Sequence, residues 1–435
     1  MTSLADLLVA GEEVAVHAGD EVVTRSELVA RADSVARSLD IAPGQPVPVQ
    51  LPNGVDLVAA MFGVWKAGGV YVPINPRLTE TEIARIHTTV QGQHDRDIAL
   101  IQFTSGTTGP PKPVLLRHSG VLTLLDSVIN TLRTKPSRRA MPNLIPVSLS
   151  LWAGIYQVLF AFRVGAPVVI MEQFETAEFS RLVRRFEIRS TVLPPAAMTM
   201  LCDDVDVRDL SPLKYVRSIS APLAPLQARR FKEHFEIVVL NGYGQTEIGG
   251  EIVGWSASDA KAFGETHLGA AGRPHDGVAV RTAADGQLEV HTPALSAGYA
   301  DGADLSDRLT DDGWFRTGDI GRIDHDGFVW IEGRVSDMIN RGGLKVFPEE
   351  VAEVLRLSPS VVDAAVVGVA DDRLGEVPWA FVVPTGDAVD IDALDALCRT
   401  HLAPYKVPVR IEVVDALPRN EIGKVIAAAL IADRR

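Results

Sequence analysis

One stretch of hydroxyl and glycine residues, from Phe103 to Lys112, constrains the fold of this chain more than any other segment. It follows an apolar run that begins at Ile98 and is typical of a buried strand. Its glycines let backbone N–H groups approach a polyanion, while its hydroxyls and its lysine supply further donors. Surface turns use the same residue types, but an ordinary turn rarely needs so unbroken a series. The pattern predicts a phosphate-binding loop made of Thr104, Ser105, Gly106, Thr107, Thr108, Gly109 and Lys112.

The loop is not a Walker A motif, because Pro113 follows Lys112 where that motif has Ser or Thr. Its sequence, Thr-Ser-Gly-Thr-Thr-Gly-x-Pro-Lys, closely resembles the nucleotide loop of the adenylate-forming superfamily. That superfamily comprises acyl-CoA synthetases, aryl-acid ligases, luciferases and the adenylation domains of peptide synthetases. Residues 62–79 also resemble it, and Pro113 is a departure, since a glycine usually follows the loop lysine there.

Composition narrows the class of protein. At 435 residues the chain exceeds what one hydrophobic core usually supports, so two or more domains are expected. A net charge of −14 argues against a nucleic-acid-binding surface, and anionic substrates would have to meet local cations. Cys202 and Cys398 lie in apolar surroundings, which favours buried thiols in a reducing compartment. Without a signal-like N-terminus or an apolar run of membrane-spanning length, the sequence predicts a cytoplasmic enzyme that does not bind membranes.

The order of helix and strand patterns predicts an α/β fold with wound sheets. A capping box at Thr24–Glu27 starts a helix, and a second helix from Leu57 to Lys66 stops before a strand at Val70–Pro73. Further along the chain, the patterns predict a polar linker at Gln91–Asp97, a strand at Val164–Met171, strands over residues 286–299, a hairpin at Asp326-Gly327 and a Pro-initiated helix at Phe347–Val351. We expect a large N-terminal domain with a small β-subdomain, residues 1–335, then a small mobile α+β domain, residues 336–435. The segment between about residues 82 and 100 is shorter than the superfamily pattern, which suggests a trimmed subdomain.

A second motif, Asn241–Glu247, follows a predicted strand at Ile237–Leu240. Tyr243 offers a flat face for a purine, and the hydroxyl of Thr246 suits a phosphate. Glu247 offers a carboxylate for Mg²⁺, a cation that prefers oxygen ligands. A glycine-bounded turn with a solvated Glu is the alternative. The resemblance adds adenine contacts at Ser220, Ala221, Pro222, Asn241 and Gly242, with Ser220 standing where the superfamily has glycine.

The resemblance also assigns residues near and beyond the domain boundary. Asp319 matches the acid that accepts the ribose hydroxyls, and Arg334 matches the linker arginine. The hinge position is taken by Ser336, where the superfamily commonly has Asp or Lys. Lys424 matches the catalytic lysine, which together with Thr246 and Glu247 would serve adenylation, and the thiol tunnel would pass near Gly342 and Gly343.

The acid-binding pocket is the least constrained part of this prediction. Leu149 stands where the superfamily often has His or an aromatic residue, and no acid lies between Asp126 and Glu172 to hold an amino group. A free α-amino acid is therefore disfavoured. We expect an aryl or compact apolar acid in a pocket formed by Leu149, Trp152, Ala196 and Gly244.

The expected activity is attack of a carboxylic acid on ATP with Mg²⁺, giving an acyl-adenylate that passes to coenzyme A. The sequence leaves other acceptors open, namely a separate carrier protein, an amine or a hydroxyl. It also leaves open a homodimer and a catalytically degenerate nucleotide-binding module. The joint presence of Lys112, Glu247, Asp319, Arg334 and Lys424 argues against degeneracy.

Overall fold

The computed structural model describes residues 3–104, 111–132, 140–219, 221, 223, 225–386, 389–419 and 425–432. Its α-helices, in chain order, are α1 (Arg25–Ser38), α2 (Val55–Lys66), α3 (Glu80–Thr89), α4 (His118–Leu132), α5 (Trp152–Val164), α6 (Thr176–Arg185), α7 (Pro195–Asp203), α8 (Pro225–Phe235), α9 (Ala257–Phe263), α10 (Pro348–Leu355), α11 (Ile391–His401) and α12 (Ala427–Ile431). No helix in these ranges is long and apolar enough to cross a membrane.

The strands of the same residues form five sheets. In chain order they are β1 (Val14–Ala18), β2 (Glu21–Thr24), β3 (Pro46–Val49), β4 (Val70–Pro73), β5 (Ile98–Phe103), β6 (Pro113–Arg117), β7 (Asn143–Ile145), β8 (Val168–Ile170), β9 (Ser190–Val192), β10 (Tyr215–Ser218), β11 (Val238–Gln245), β12 (Gly250–Gly254), β13 (Arg273–Pro274), β14 (Ala279–Thr282), β15 (Gln287–His291), β16 (Phe315–Ile323), β17 (Val329–Arg334), β18 (Ile339–Arg341), β19 (Leu344–Val346), β20 (Val361–Asp371), β21 (Gly375–Pro384) and β22 (Arg410–Val413).

Two sheets build the first part of the large N-terminal domain, with strand orders β2-β1-β8-β7 and β3-β4-β5-β6. The predicted capping box is present, because the Thr24 hydroxyl accepts from the Glu27 N–H and the Glu27 carboxylate accepts from the Thr24 N–H. Helix α2 is buried along almost its whole length, as its apolar sequence predicts. The strand predicted from Val164 is shorter than expected, because Gly165 adopts a left-handed conformation that ends α5.

The connection between α3 and β5 is short and has no regular structure. Helix α3 begins at a capping box between Thr79 and Glu82. Residues 90–97 then lead directly into β5, which agrees with the predicted polar linker over Gln91–Asp97. Strands β3, β4 and β5 run parallel to one another, which is the arrangement expected of a wound α/β sheet.

The third sheet has the order β13-β12-β11-β10-β9 and carries the second sequence motif. Here the prediction was wrong in one respect, because the motif does not follow the strand but forms its second half. Strand β12 pairs antiparallel with residues 242–245 and gives this glycine-rich stretch a hydrogen-bonding partner. The strand therefore extends to Gln245, and Thr246 and Glu247 lie in a short 3₁₀ turn beyond it.

The β-subdomain is the antiparallel sheet β14-β15-β16-β17. The predicted hairpin at Asp326-Gly327 is confirmed, with Gly327 at φ +81° in the turn between β16 and β17. The strand pattern expected over residues 286–299 holds only as far as His291. Pro293 lies just beyond, and proline cannot donate to a sheet ladder.

The small C-terminal domain has the sheet β19-β18-β21-β20, with β22 beside β21. Its own hydrophobic core joins residues of this sheet to α10 and α11, among them Ile339, Val351 and Leu394. Helix α10 starts with Pro348 in its first turn, as predicted. Of the two free cysteines, Cys398 is buried in this core, whereas Cys202 in the large domain is only half-buried.

One titratable group in this domain makes stability depend on pH. Burial, with the nearby Glu349, raises the pKa of Glu353 on α10 from 4.5 to about 7. Because the folded-state pKa lies above the unfolded one, the folded domain binds the proton more tightly, and stability falls as pH rises toward and past 7. We expect Glu353→Gln to raise the urea midpoint at about pH 8 and to change it little at about pH 5.

The exposed Glu233 on α8 provides the matched control. Glu233→Gln should leave the midpoint nearly unchanged at both pH values, since a surface substitution usually stays within about 0.5 kcal/mol. A Glu353→Gln midpoint that shifts equally at both pH values would contradict the raised pKa.

Candidate active site

A cleft of about 3010 Å³ separates the large domain from the small one. Residues of α10 and β20 line it from the small domain, and residues of β11, β16 and β17 line it from the large one. Many of the predicted site residues line it, namely Thr104, Lys112, Trp152, Ala196, Ala221, Asn241, Gly242, Tyr243, Gly244, Thr246, Glu247, Asp319, Arg334 and Ser336. Others lie outside the described residues, namely Ser105, Gly106, Thr107, Thr108, Gly109, Ser220, Pro222 and Lys424.

Both ends of the predicted phosphate loop are held by the hairpin that β5 and β6 form. The Thr104 N–H donates to the Lys112 carbonyl at 3.0 Å, and the Lys112 N–H donates to the Thr104 hydroxyl at 3.4 Å. Lys112 extends over the ring of Tyr299, with Nζ 5.4 Å from the ring centroid. The stem thus places a cation at the cleft wall.

Asp319 is a buried carboxylate of the cleft, only 2% exposed, and three side chains contact it. Its Oδ2 accepts from the Tyr243 hydroxyl at 2.7 Å and from Gln245 Nε2 at 2.6 Å. Its Oδ1 lies 2.8 Å from Nε of Arg334, which is its register partner across β16 and β17. Burial and the Asp319 charge raise the pKa of Tyr243 well above its usual value, so the phenol stays a donor. Burial alone would lower the pKa of Arg334, but Asp319 reverses this, and the net direction is upward.

Glu247 lies nearly buried at the base of the same cleft. Its Oε1 accepts from the Tyr299 hydroxyl at 3.3 Å and from Nη1 of Arg308 at 3.4 Å. Burial, reinforced by Glu247, raises the pKa of Tyr299 and keeps it protonated. One carboxylate at a cleft wall fits Mg²⁺, which usually takes one or two protein carboxylates together with substrate phosphates.

Arg308 is a cation of this site that the sequence did not indicate. Besides Glu247, it reaches the side-chain oxygen of Gln245 at 3.4 Å and donates to the Thr317 carbonyl at 2.7 Å. The ring of Phe315 packs against it, 4.3 Å from Cζ to the centroid. The only signal in the sequence was its closeness to the predicted ribose segment.

Leu149, predicted for the acyl pocket, is not among the residues that line the cleft. Its side chain is 3% exposed within the main hydrophobic core, and its N–H donates to Asn53 at 2.8 Å. The chain turns sharply at residues 148–151 before α5, which points Leu149 inward while Ser150 and Leu151 line the cleft.

Ser336, predicted for the hinge, lies at the cleft, whereas the two glycines predicted for the thiol tunnel lie in a turn away from its lining residues. Ser336 is exposed between β17 and β18, lines the cleft, and donates to the Asp337 carboxylate at 2.8 Å. Gly342 and Gly343 form the β18–β19 turn at φ +60° and +88°, a backbone conformation that suits glycine. Neither glycine is among the cleft-lining residues in this arrangement of the domains.

Two protein-family models match the chain. The sequence model of the AMP-binding enzyme family matches residues 8–91 and 87–299, and that of the AMP-binding enzyme C-terminal domain matches residues 350–424. The two matches of the first model overlap at residues 87–91.

Relatives and solved structures match most of the chain. The long-chain-fatty-acid–CoA ligase FadD13 of Mycobacterium tuberculosis is 28% identical over 90% of this chain and 89% of its own length. A 2-succinylbenzoate–CoA ligase of Bacillus licheniformis is 31% identical over 78% of this chain and 71% of its own. The amide bond synthetase McbA of Marinactinospora thermotolerans superposes with a TM-score of 0.88 at 26% identity, covering 98% of both chains.

The motifs, their convergence on one cleft and these matches agree. The chain belongs to the AMP-binding enzyme family, the adenylate-forming superfamily.

Proposed function

We propose that the chain is an AMP-forming acid–thiol ligase that activates a compact carboxylic acid with ATP and transfers the acyl group to coenzyme A. The observation that carries this proposal is the convergence of Lys112, Glu247, Asp319 and Arg334 on one cleft. Relatives over most of the chain are named as CoA ligases, which supports the choice of acceptor.

In the first half-reaction a carboxylate oxygen attacks the α-phosphorus of ATP. The bond from that phosphorus to the bridging oxygen breaks, pyrophosphate leaves, and an acyl-adenylate forms. The phosphoryl oxygens carry the charge of this transition state, so positioning and cations contribute most of the catalysis. We assign the phosphates to the loop from Thr104 to Lys112, and the α-phosphate and substrate carboxylate to Lys424.

The Asp319 cluster would hold the nucleoside. Among the described residues, Arg334 is the donor to its Oδ1, and a carboxylate oxygen can accept a further hydrogen bond from a ribose hydroxyl. The ring of Tyr243 would lie against the purine, beside Ala221, Asn241 and Gly242. These assignments follow the family motif residue by residue.

Thr246 and Glu247 would serve the phosphates from the opposite side of the cleft. Glu247 would hold Mg²⁺, which when bound offsets the charge of the leaving pyrophosphate. Arg308 fixes the Glu247 carboxylate from the protein side, because it is itself anchored on the Thr317 carbonyl.

In the second half-reaction a thiol attacks the acyl carbonyl, the bond to AMP breaks, and the thiol proton is released. We propose that the small domain, residues 336–435, rotates about Ser336 between the two steps and brings Gly342 and Gly343 toward the entering thiol. The exposure of Ser336 supports this, since a hinge needs residues whose φ and ψ can change.

An aryl or other compact ring acid is the substrate that we propose, in a cytoplasmic enzyme. Trp152, Ala196 and Gly244 line the cleft and offer apolar surface for such a ring. An amine acceptor is the second candidate, because the similar structure of McbA is described as an amide bond synthetase.

The test is acid-dependent exchange of labelled pyrophosphate into ATP over a panel of ring, short-chain and long-chain acids. AMP release is then followed with coenzyme A, with a primary amine, and with neither. Exchange with a ring acid and AMP release that requires coenzyme A are expected. AMP release that requires the amine would favour amide synthesis, and ATP binding without exchange would favour a degenerate module.

A further prediction concerns Lys424, which lies outside the described residues. Val425 and Arg419, on either side of that segment, both line the cleft. Lys424→Ala should lower pyrophosphate exchange by about 100-fold or more, as the loss of a transition-state donor does. ATP affinity, measured by calorimetry, should change little, because other residues hold the nucleotide. Unchanged exchange would remove Lys424 from the chemistry.

Glu247→Gln should raise the Mg²⁺ concentration needed for half-maximal exchange. The amide keeps the size of the side chain but loses its negative charge, and hard cations prefer carboxylate oxygens. A titration of exchange rate against Mg²⁺ measures this, with Glu233→Gln as the exposed control. If both variants follow the unmodified enzyme, Glu247 is not a metal ligand.

A further inference from the structure

We propose that the acid accepted by this cleft carries a neutral hydrogen-bonding group, a hydroxyl or a ketone, at the end remote from its reacting carboxylate. Tyr156, Arg217 and Glu251 would bind that group. The inference rests on the proposed function. It narrows the class of acid, because the sequence alone led us to expect only an aryl or compact apolar acid.

A chain of close contacts connects these three residues to the predicted acyl pocket. Gly244 leaves no room for a side chain, because Gly250 and Glu251 of the neighbouring strand pack directly against it. A Cβ on Gly250 would lie 2.8 Å from the indole nitrogen of Trp152. The ring of Trp152 in turn meets that of Tyr156 edge-on, with 5.7 Å between centroids. All of these residues line the cleft.

Arg217 and Glu251 form an almost buried ion pair in the wall of the cleft. Their side chains are 13% and 10% exposed, and Nη1 of Arg217 contacts Oε1 of Glu251. The arginine also donates to the Trp255 carbonyl at 3.0 Å, and Nε2 of His275 lies 3.2 Å from the same carboxylate oxygen. Burial disfavours the Glu251 anion, but Arg217 and His275 outweigh it and lower the pKa of Glu251.

The backbone makes room for this pair. Gly242 and Gly254 are register partners on β11 and β12. A Cβ on Gly242 would lie 2.9 Å from Cδ of Glu251, and a Cβ on Gly254 would contact both Glu251 and Arg217. The carboxylate therefore occupies the space that two facing side chains would fill. The pair is therefore packed into the cleft wall and is not a contact on the open surface.

The hydroxyl of Tyr156 is the unsatisfied member of the group. It is buried and has no hydrogen-bond partner among the residues that the structure describes. Burial first, and Glu251 second, raise the pKa of Tyr156, so its hydroxyl remains protonated and can donate. A buried hydroxyl without a partner is unfavourable, so a ligand oxygen that accepts from it gains affinity.

The charge balance of the group selects a neutral ligand. Arg217 and Glu251 compensate each other, so a second carboxylate on the substrate would approach Glu251 while the charge of Arg217 is already balanced. A hydrocarbon would cover the Tyr156 hydroxyl and leave it unpaired. A site built to hydrogen-bond a substrate rejects analogues that lack the polar group, because its own groups then stay unsatisfied.

The experiment compares para-substituted benzoic acids and 4-substituted cyclohexanecarboxylic acids that carry hydroxyl, ketone, methyl or carboxyl groups. We measure kcat/KM for pyrophosphate exchange with each acid. In at least one series, the hydroxyl or ketone acid should exceed its methyl and carboxyl analogues by about tenfold or more. A methyl or carboxyl acid that is the better substrate in both series would overturn the inference while leaving the proposed function intact. Exchange with no acid would overturn both.

Two variants test the residues themselves. Tyr156→Phe removes one oxygen and should reduce kcat/KM for the polar acid about tenfold more than for its methyl analogue. Glu251→Gln should narrow the gap between the polar acid and its carboxyl analogue, because the repelling charge is gone. Tyr405→Phe, a half-buried tyrosine of the small domain, is the matched control. Equal losses for polar and methyl acids in Tyr156→Phe would overturn the assignment.

Discussion

The site depends on the solvation of one carboxylate, that of Asp319. A carboxylate withdrawn from water needs donors, and this one obtains them from Tyr243 and Gln245 on β11 and from Arg334 on β17. Asp319 lies on β16 of the β-subdomain, its partners Tyr243 and Gln245 lie on β11 of the third sheet, and Arg334 ends β17 just before the interdomain segment. One anion therefore connects the third sheet, the β-subdomain and the start of that segment. The position of Tyr243, which we propose lies against the purine, and the start of the proposed hinge are therefore set together.

What the sequence predicted well rests on local chemistry. The capping box at Thr24, the proline start of α10 at Pro348 and the hairpin at Gly327 each depend on neighbours within a few residues. The proposed nucleotide-binding residues were predicted from sequence motifs. In the structure the Tyr243 hydroxyl lies 2.7 Å from Oδ2 of Asp319, although the two residues are 76 positions apart in the chain. The roles of those residues stay predictions, since only their placement is observed.

What the sequence could not predict depends on contacts between distant segments. The second motif lies within a strand because β12 pairs with it, and Leu149 faces the core because of a turn that no local pattern marks. Arg308 and Arg217 belonged to no motif, and their carboxylate partners lie 61 and 34 residues away. A charged side chain outside any motif is recognised as part of a site only when the fold shows which side chains it contacts.

The two ends of the cleft differ in charge, and we expect that difference to orient the acid. Beside the proposed nucleotide residues, Arg334 is paired with Asp319 and Arg308 with Glu247, while Lys112 extends over the ring of Tyr299. These three cations face two carboxylates, whereas the charge of Arg217 at the other end is balanced by Glu251. A carboxylate gains most beside the excess cation, so under the proposed function the reacting group is drawn toward ATP. The balanced end would then face the remainder of the acid, where hydrogen bonds and shape decide which acid is activated.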